Sequence, residues 1–184
     1  MKEIIQDAED RMKKSVDAVT EDLGSIRTGR ASAALFDRIK VEYYGAPTPL
    51  NQLATISVPE ARLVVIQPWD KSAMGEIEKA IQRSELSLNP NNDGKVIRIN
   101  IPPLTEERRK EYVKLAKEKA EQGRVSVRNV RRDAMDTLKS FEKDGEISED
   151  ELKRAEDEIQ KLADRYVTKV NELLEEKEQE ILEI

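Results

Sequence analysis

Apolar residues recur with two different periods along this chain, and the changes of period divide it. Over residues 2–28, Ile5, Met12, Val19 and Ile26 recur every seven, with Ala8, Val16 and Leu23 between them. This stripe predicts an amphipathic helix. It stops at Thr28-Gly29-Arg30, where glycine suits a helix C-terminal cap.

Residues 31–104 follow a period of two. Ile39, Val41 and Tyr43 alternate with polar residues until Gly45, Pro47 and Pro49 break the run. Residues 53–58 and 62–67 read as short strands separated by Pro59-Glu60, and 72–83 as a short helix with Ile77, Ala80 and Ile81 on one face. Asn91-Asn92-Asp93-Gly94 is a turn signal, and 96–101 alternate again. This is a small β/α/β unit.

Pro102-Pro103 ends it, and the helical period returns. Thr105 is placed to cap a helix carrying Val113, Ala116, Ala120, Val127, Val130, Ala134, Leu138 and Phe141. That helix runs to about residue 143, about 57 Å at the α-helical rise. Asp144-Gly145 breaks it, and Ser148 with Glu151 forms a capping-box signature for a third helix. Its inner residues are Leu152, Ala155, Ile159, Leu162, Tyr166, Val170, Leu173 and Ile181. Three helices with one apolar stripe each bury those stripes against one another. The expected fold is therefore α+β: an elongated three-helix bundle (1–30 and 105–184) with an inserted small β/α/β domain (31–104). Two short connections, near 29–32 and 102–105, join them. They form a hinge through Gly29, Arg30, Ala31, Pro102, Pro103 and Thr105.

Composition narrows the chemistry. The 184 residues contain no cysteine and no histidine. That removes disulfides, zinc fingers, thiol catalysis and His-based triads. No nucleotide-binding glycine motif occurs, so the chain is expected to be no enzyme and to take no cofactor, metal or small-molecule substrate. No apolar run is long enough to span a membrane. The first 14 residues hold four acidic and four basic side chains and lack the apolar core of a signal peptide. A cytoplasmic monomer is expected.

Net charge is −6, yet it is unevenly spread. Residues 108–132 hold ten basic and three acidic side chains, whereas 144–184 hold six and fifteen. A molecule polarised in this way binds a polyanion on one face while remaining net acidic. On a helical wheel Lys110, Lys114, Lys117, Arg124, Arg128, Arg131 and Arg132 share about 100° of arc, with Glu121 the one acid among them. One reading is a solvated face that pairs with the acidic third helix. The other is a phosphate-binding stripe. Four arginines within 124–132, with no acid between them, favour phosphate, because arginine offers bidentate contacts. Few aromatics interleave, so structured RNA read by backbone and shape fits better than stacked single strands. Other features carry less. The acids of the third helix lack EF-hand spacing. Asn92-Asp93-Gly94-Lys95 reads as a turn rather than a phosphate loop. Pro47 and Pro49 after Tyr43-Tyr44-Gly45 read as a rigid connector rather than an exposed binding loop.

Residues 26–33 (IRTGRASA), 42–53 (EYYGAPTPLNQL), 102–109 (PPLTEERR), 126–133 (SVRNVRRD) and 146–152 (EISEDEL) together resemble the bacterial ribosome recycling factor family, in order and over the whole length. The resemblance implies an L-shaped molecule on a flexible hinge. It implies binding to the large ribosomal subunit after termination. With GTP-bound elongation factor G, the post-termination complex is then split and mRNA and tRNA leave. It carries over, as contacts to large-subunit ribosomal RNA, Arg109 of TEERR and Arg128, Arg131 and Arg132 of VRNVRRD, with Arg30 of RTGR as a further one. Gly123 and Met135 depart from the family pattern, and a mid-helix glycine is expected to cost about 1 kcal/mol relative to alanine and to loosen the helix. The readings without the resemblance are a helical adaptor or chaperone and a non-ribosomal RNA-binding protein.

Overall fold

The computed structural model describes Met1–Glu183. The elements, in chain order, are α1 (Lys2–Gly24), β1 (Lys40–Tyr43), β2 (Ala46–Pro49), β3 (Ala54–Glu60), β4 (Leu63–Pro68), α2 (Met74–Arg83), β5 (Asn91–Asn92), β6 (Ile97–Asn100), α3 (Glu106–Lys143) and α4 (Glu149–Leu182). The architecture is α+β, three long helices with a small β/α/β unit. The chain divides into two compact units. One is Met1–Leu23 with Val113–Glu180. The other is Gly24–Tyr112 together with Ile181–Glu183.

In the helical unit the three predicted stripes meet. Ala8 and Met12 of α1 pack with Val127, Val130, Ala134 and Leu138 of α3 and with Ala155, Ile159, Ala163 and Tyr166 of α4. The helix ends follow their local chemistry. The Thr105 hydroxyl accepts from the Arg108 amide at 3.2 Å. The Ser148 hydroxyl accepts from the Glu151 amide at 3.1 Å, and the Glu151 carboxylate accepts from the Ser148 amide at 3.4 Å, which is the full capping box. Polar ties set the helices in register. Glu9 Oε1 accepts from the Tyr166 hydroxyl at 3.0 Å and from Arg165 Nη2 at 2.8 Å. The Tyr166 hydrogen bond is the main cause holding the Glu9 carboxyl below its ordinary range. The hydroxyls of Ser15 and Ser126 meet at 2.6 Å.

Gly123 is the mid-helix glycine expected to loosen α3. It is buried, and a Cβ there would stand 2.1 Å from Val19 Cγ2. The glycine lets α1 and α3 approach closely, and packing holds the helix through that point.

Two sequence expectations are corrected. The first helix ends at Gly24, not near 28. Ile26 stays buried beyond it, so the seven-residue repeat tracked burial past the helix end. Gly29, with φ of 78°, is therefore no helix cap but a turn in the connection, lying against Leu104. Second, Pro47 and Pro49 do not form a rigid connector, although the run of β1 does stop before Gly45. Tyr44 and Gly45 both take positive φ, the geometry of a tight hairpin turn. The chain then returns as β2, paired with β1 from Tyr43↔Ala46 to Lys40↔Pro49. A separate two-stranded ribbon tolerates proline on its open edge.

The second sheet is antiparallel in the order β3-β4-β6-β5. Val64, Ile66, Ile97 and Ile99 alternate toward one face and bury against Ile77 and Ile81 of α2. Pro59 lies within edge strand β3, where the register shifts between Ser57 and Glu60. The Asn91–Gly94 signal marks a hairpin whose first two residues form β5 and whose turn to β6 begins at Asp93, which accepts the Lys95 and Val96 amides at 2.9 Å. Among the described residues no helix is long and apolar enough to cross a membrane.

Candidate nucleic-acid interface

α3 presents most of the predicted stripe on one continuous helix. Its capped start, and the absence of proline through Lys143, keep the cations in helical register. In the helical unit Lys114, Lys117, Arg128 and Arg132 are exposed, while Arg124 and Arg131 are half-buried. The split has a geometric cause. Arg124 and Arg131 sit on the edge of the arc that leans onto α4. Arg124 Nη1 donates to Asn171 Oδ1 at 3.0 Å, and Arg131 Nη1 to Gln160 Oε1 at 3.4 Å. Arg124 is only 17% exposed.

The partners on α4 are amides. Among the described residues none of these cations pairs with an α4 carboxylate. The acidic helix does not neutralise the stripe through direct contacts. Within the helical unit Glu121 does so, and only locally. Its Oε2 holds Arg124 Nε at 3.0 Å and its Oε1 holds Arg128 Nη1 at 3.5 Å. Lys114, Lys117 and Arg132 face solvent without a partner among the described residues.

The other predicted contacts lie in the sheet unit. Lys110 is exposed and pairs with Glu106 at 3.8 Å. Arg109 is half-buried, and its Nε is buried with no acceptor among the described residues. Arg30 is exposed and pairs with Glu183 at 2.9 Å. Arg27, which the sequence reading passed over, donates to the Leu86 carbonyl at 3.2 Å, and its Nε is likewise buried without a partner.

The sheet unit also shows what the sequence reading missed. Tyr44 is 84% exposed and Trp69 is 65% exposed. Both are braced. The Tyr44 ring stands edge-on to Tyr43 at 4.5 Å, and Trp69 Nε1 donates to Thr55 Oγ1 at 2.8 Å. The Tyr43 hydroxyl donates to Asp70 Oδ2 at 2.8 Å, tying the hairpin to the residue after Trp69. Asp70 in turn is held below the ordinary carboxylate range, chiefly by the Ser72 hydroxyl and amide and then by Tyr43. The Tyr43 hydroxyl is pushed up to about 12, first by its bond to Asp70. Tyr44 was legible as part of a turn. Trp69 carried only the signal of an aromatic at a strand end.

Comparison with known proteins follows this geometry. The family model described as ribosome recycling factor matches residues 19–182. A ribosome-recycling factor from Halalkalibacterium halodurans is 58% identical over 183 residues, covering 100% of this chain and 99% of that protein. One from Treponema denticola is 60% identical with the same coverage. A solution structure of a ribosome recycling factor superposes with a TM-score of 0.80 at 50% identity, covering 100% of this chain and 97% of that one. A structure described as models for the T. thermophilus ribosome recycling factor and the E. coli elongation factor G bound to the E. coli post-termination complex gives a TM-score of 0.71 at 52% identity, covering 99% of this chain and 98% of that one.

Proposed function

The chain belongs to the ribosome recycling factor family and acts in ribosome recycling, and we propose that it does so by gripping large-subunit ribosomal RNA through α3 while GTP-bound elongation factor G drives the subunits apart, freeing mRNA and tRNA. The observation that carries the RNA contact is the set of exposed cations on one helix. Lys114, Lys117, Arg128 and Arg132 are open to solvent, and the acidic α4 leaves them free of carboxylate contacts. Phosphate neutralises such a row and releases counterions. Arg124 and Arg131, tied to Asn171 and Gln160, border the row and shape its edge. In this reading Arg109 and Arg30 contact RNA from the sheet unit.

Elongation factor G is assigned the sheet unit. Braced, exposed aromatics such as Tyr44 and Trp69 make protein contacts at low entropic cost. Asp70 beside them disfavours a phosphate backbone. With no histidine, cysteine or nucleotide loop, the chain leaves GTP to its partner and serves as a mechanical element. It works in the cytoplasm as a monomer. The connections flex at Gly29, Arg30, Ala31, Pro102, Pro103 and Thr105. Of these six Ala31 is pinned, its amide bonded to the Ala61 carbonyl, and just before Pro102 the Ile101 amide bonds to the Arg62 carbonyl, so the bending falls chiefly on the other five.

Light scattering of post-termination ribosomes tests the function. Adding the chain with elongation factor G and GTP lowers the scattering as subunits part, and omitting any one of the three leaves it unchanged. A chain that binds ribosomes yet never changes the signal would contradict the proposal.

A further inference from the structure

Glu121 is the one acid inside the cationic arc of α3, and its two oxygens are divided between two arginines. Oε2 meets Arg124 Nε at 3.0 Å and Oε1 meets Arg128 Nη1 at 3.5 Å. Arg124 is fixed from its other side by Asn171 and is 17% exposed, so it is not free to turn outward. Arg128 is 48% exposed and has only Glu121 to hold it. The carboxylate thus bridges two guanidinium groups through one oxygen each, a hydrogen bond to Arg124 and a longer ion pair to Arg128, and so occupies the place between them that a phosphate group would take.

We propose that Glu121 is a built-in phosphate surrogate. It occupies Arg128 in the free protein, competes with the RNA backbone for that side chain, and so holds the affinity of the α3 face below what its arginines alone would give. The inference rests on the RNA-binding reading above. An exposed ion pair is weak, so an RNA phosphate can displace it. The displaced carboxylate nevertheless remains within the stripe, 53% exposed, and repels the incoming phosphate. A factor that must leave the ribosome after each round benefits from such a counterweight. Neither role needs Glu121 to touch RNA. It tunes the group that does.

The opposite role is the obvious competitor. If Glu121 served only to orient Arg128 for RNA, its removal would weaken binding. The isosteric Glu121→Gln separates the two, because glutamine keeps the shape and one acceptor oxygen and loses the charge. Binding of the full chain to purified large ribosomal subunits is measured across a salt series, beside Arg132→Ala, Arg128→Ala and the double variant Glu121→Gln/Arg128→Ala. Far-UV circular dichroism confirms helicity. Glu121→Gln is expected to bind roughly three- to tenfold more tightly at low salt. Its salt slope should steepen by up to about one unit, with the gain shrinking as salt rises. The gain should be smaller in the Arg128→Ala background. Unchanged or weaker binding by Glu121→Gln, while Arg132→Ala still weakens binding, overturns the surrogate and spares the RNA reading. A full gain in the Arg128→Ala background also overturns it. If neither Arg132→Ala nor Glu121→Gln alters binding, the RNA reading falls, and this inference falls with it.

Discussion

A β-carbon on Gly123 of α3 would stand 2.1 Å from Val19 Cγ2 of α1, closer than any real contact. The Ser15–Ser126 hydroxyl pair at 2.6 Å lies on the same two helices, about one turn away along each. Helix propensity favours alanine at this position by about 1 kcal/mol. Forcing a methyl group into a filled interface costs about 1–3 kcal/mol. Val19 is β-branched and stiff in a helix, so it cannot swing aside. Gly123→Ala is therefore expected to lower unfolding stability by about 1 kcal/mol net in urea titration. The same substitution should be neutral or stabilising in a Val19→Ala background. Equal effects in both backgrounds would show that the two residues are not coupled.

The start of α4 offers a second check on stability. Ser148→Ala removes the hydroxyl that accepts the Glu151 amide. A loss of about 1 kcal/mol is expected, the usual cost of losing an N-cap. Thermal unfolding followed at 222 nm would reveal it. A variant as stable as the parent would mean that water serves this amide equally well.

The Tyr43–Asp70 pair makes stability depend on pH at both ends. The Tyr43 hydroxyl is raised to about 12 from its ordinary 10, so its contribution is complete below pH 10 and is lost as pH rises through about 12. Asp70 is lowered from its ordinary 3.8, so its contribution is present above that value and fades as pH falls below it. Tyr43→Phe should remove the alkaline dependence and reduce the acid one, since Ser72 still holds Asp70. Phenolate absorbance during alkaline titration of the parent checks the sign. Tyr43 should ionise well above pH 10.

Separation of binding from splitting is expected in the sheet unit. Tyr44→Ser and Trp69→Ser are exposed substitutions and should leave the fold intact. Such variants should sediment with large subunits like the parent, yet split post-termination ribosomes more slowly with elongation factor G and GTP. Full splitting activity in the double variant would remove these aromatics from the partner surface.

What the sequence revealed was local. Helix starts at Thr105 and Ser148 are written in adjacent residues, and the structure keeps both bonds. Burial periodicity found the core positions Met12, Val127 and Ile159, because one stripe per helix must face inward. It overshot α1, since Ile26 is buried outside the helix and continues the same repeat. Gly123 was misread because its reason lies on another helix, at Val19. The β1–β2 ribbon hid behind two prolines that an edge strand accommodates. In the candidate site, the wheel placed the cations on one arc but gave no view of α4. Only the fold distinguishes Arg132, open to solvent, from Arg124, held between Glu121 and Asn171.

The most direct measurement is the salt dependence of binding to isolated large ribosomal subunits. The parent chain should lose affinity steeply as salt rises. Arg128→Ala/Arg132→Ala should bind more weakly at low salt, with a slope shallower by about two units, one for each lost phosphate contact. Arg154→Ala, an exposed arginine on α4, should match the parent. If the double variant follows the parent across the whole series, or if Arg154→Ala falls as far as it does, the α3 face is not what holds the ribosome.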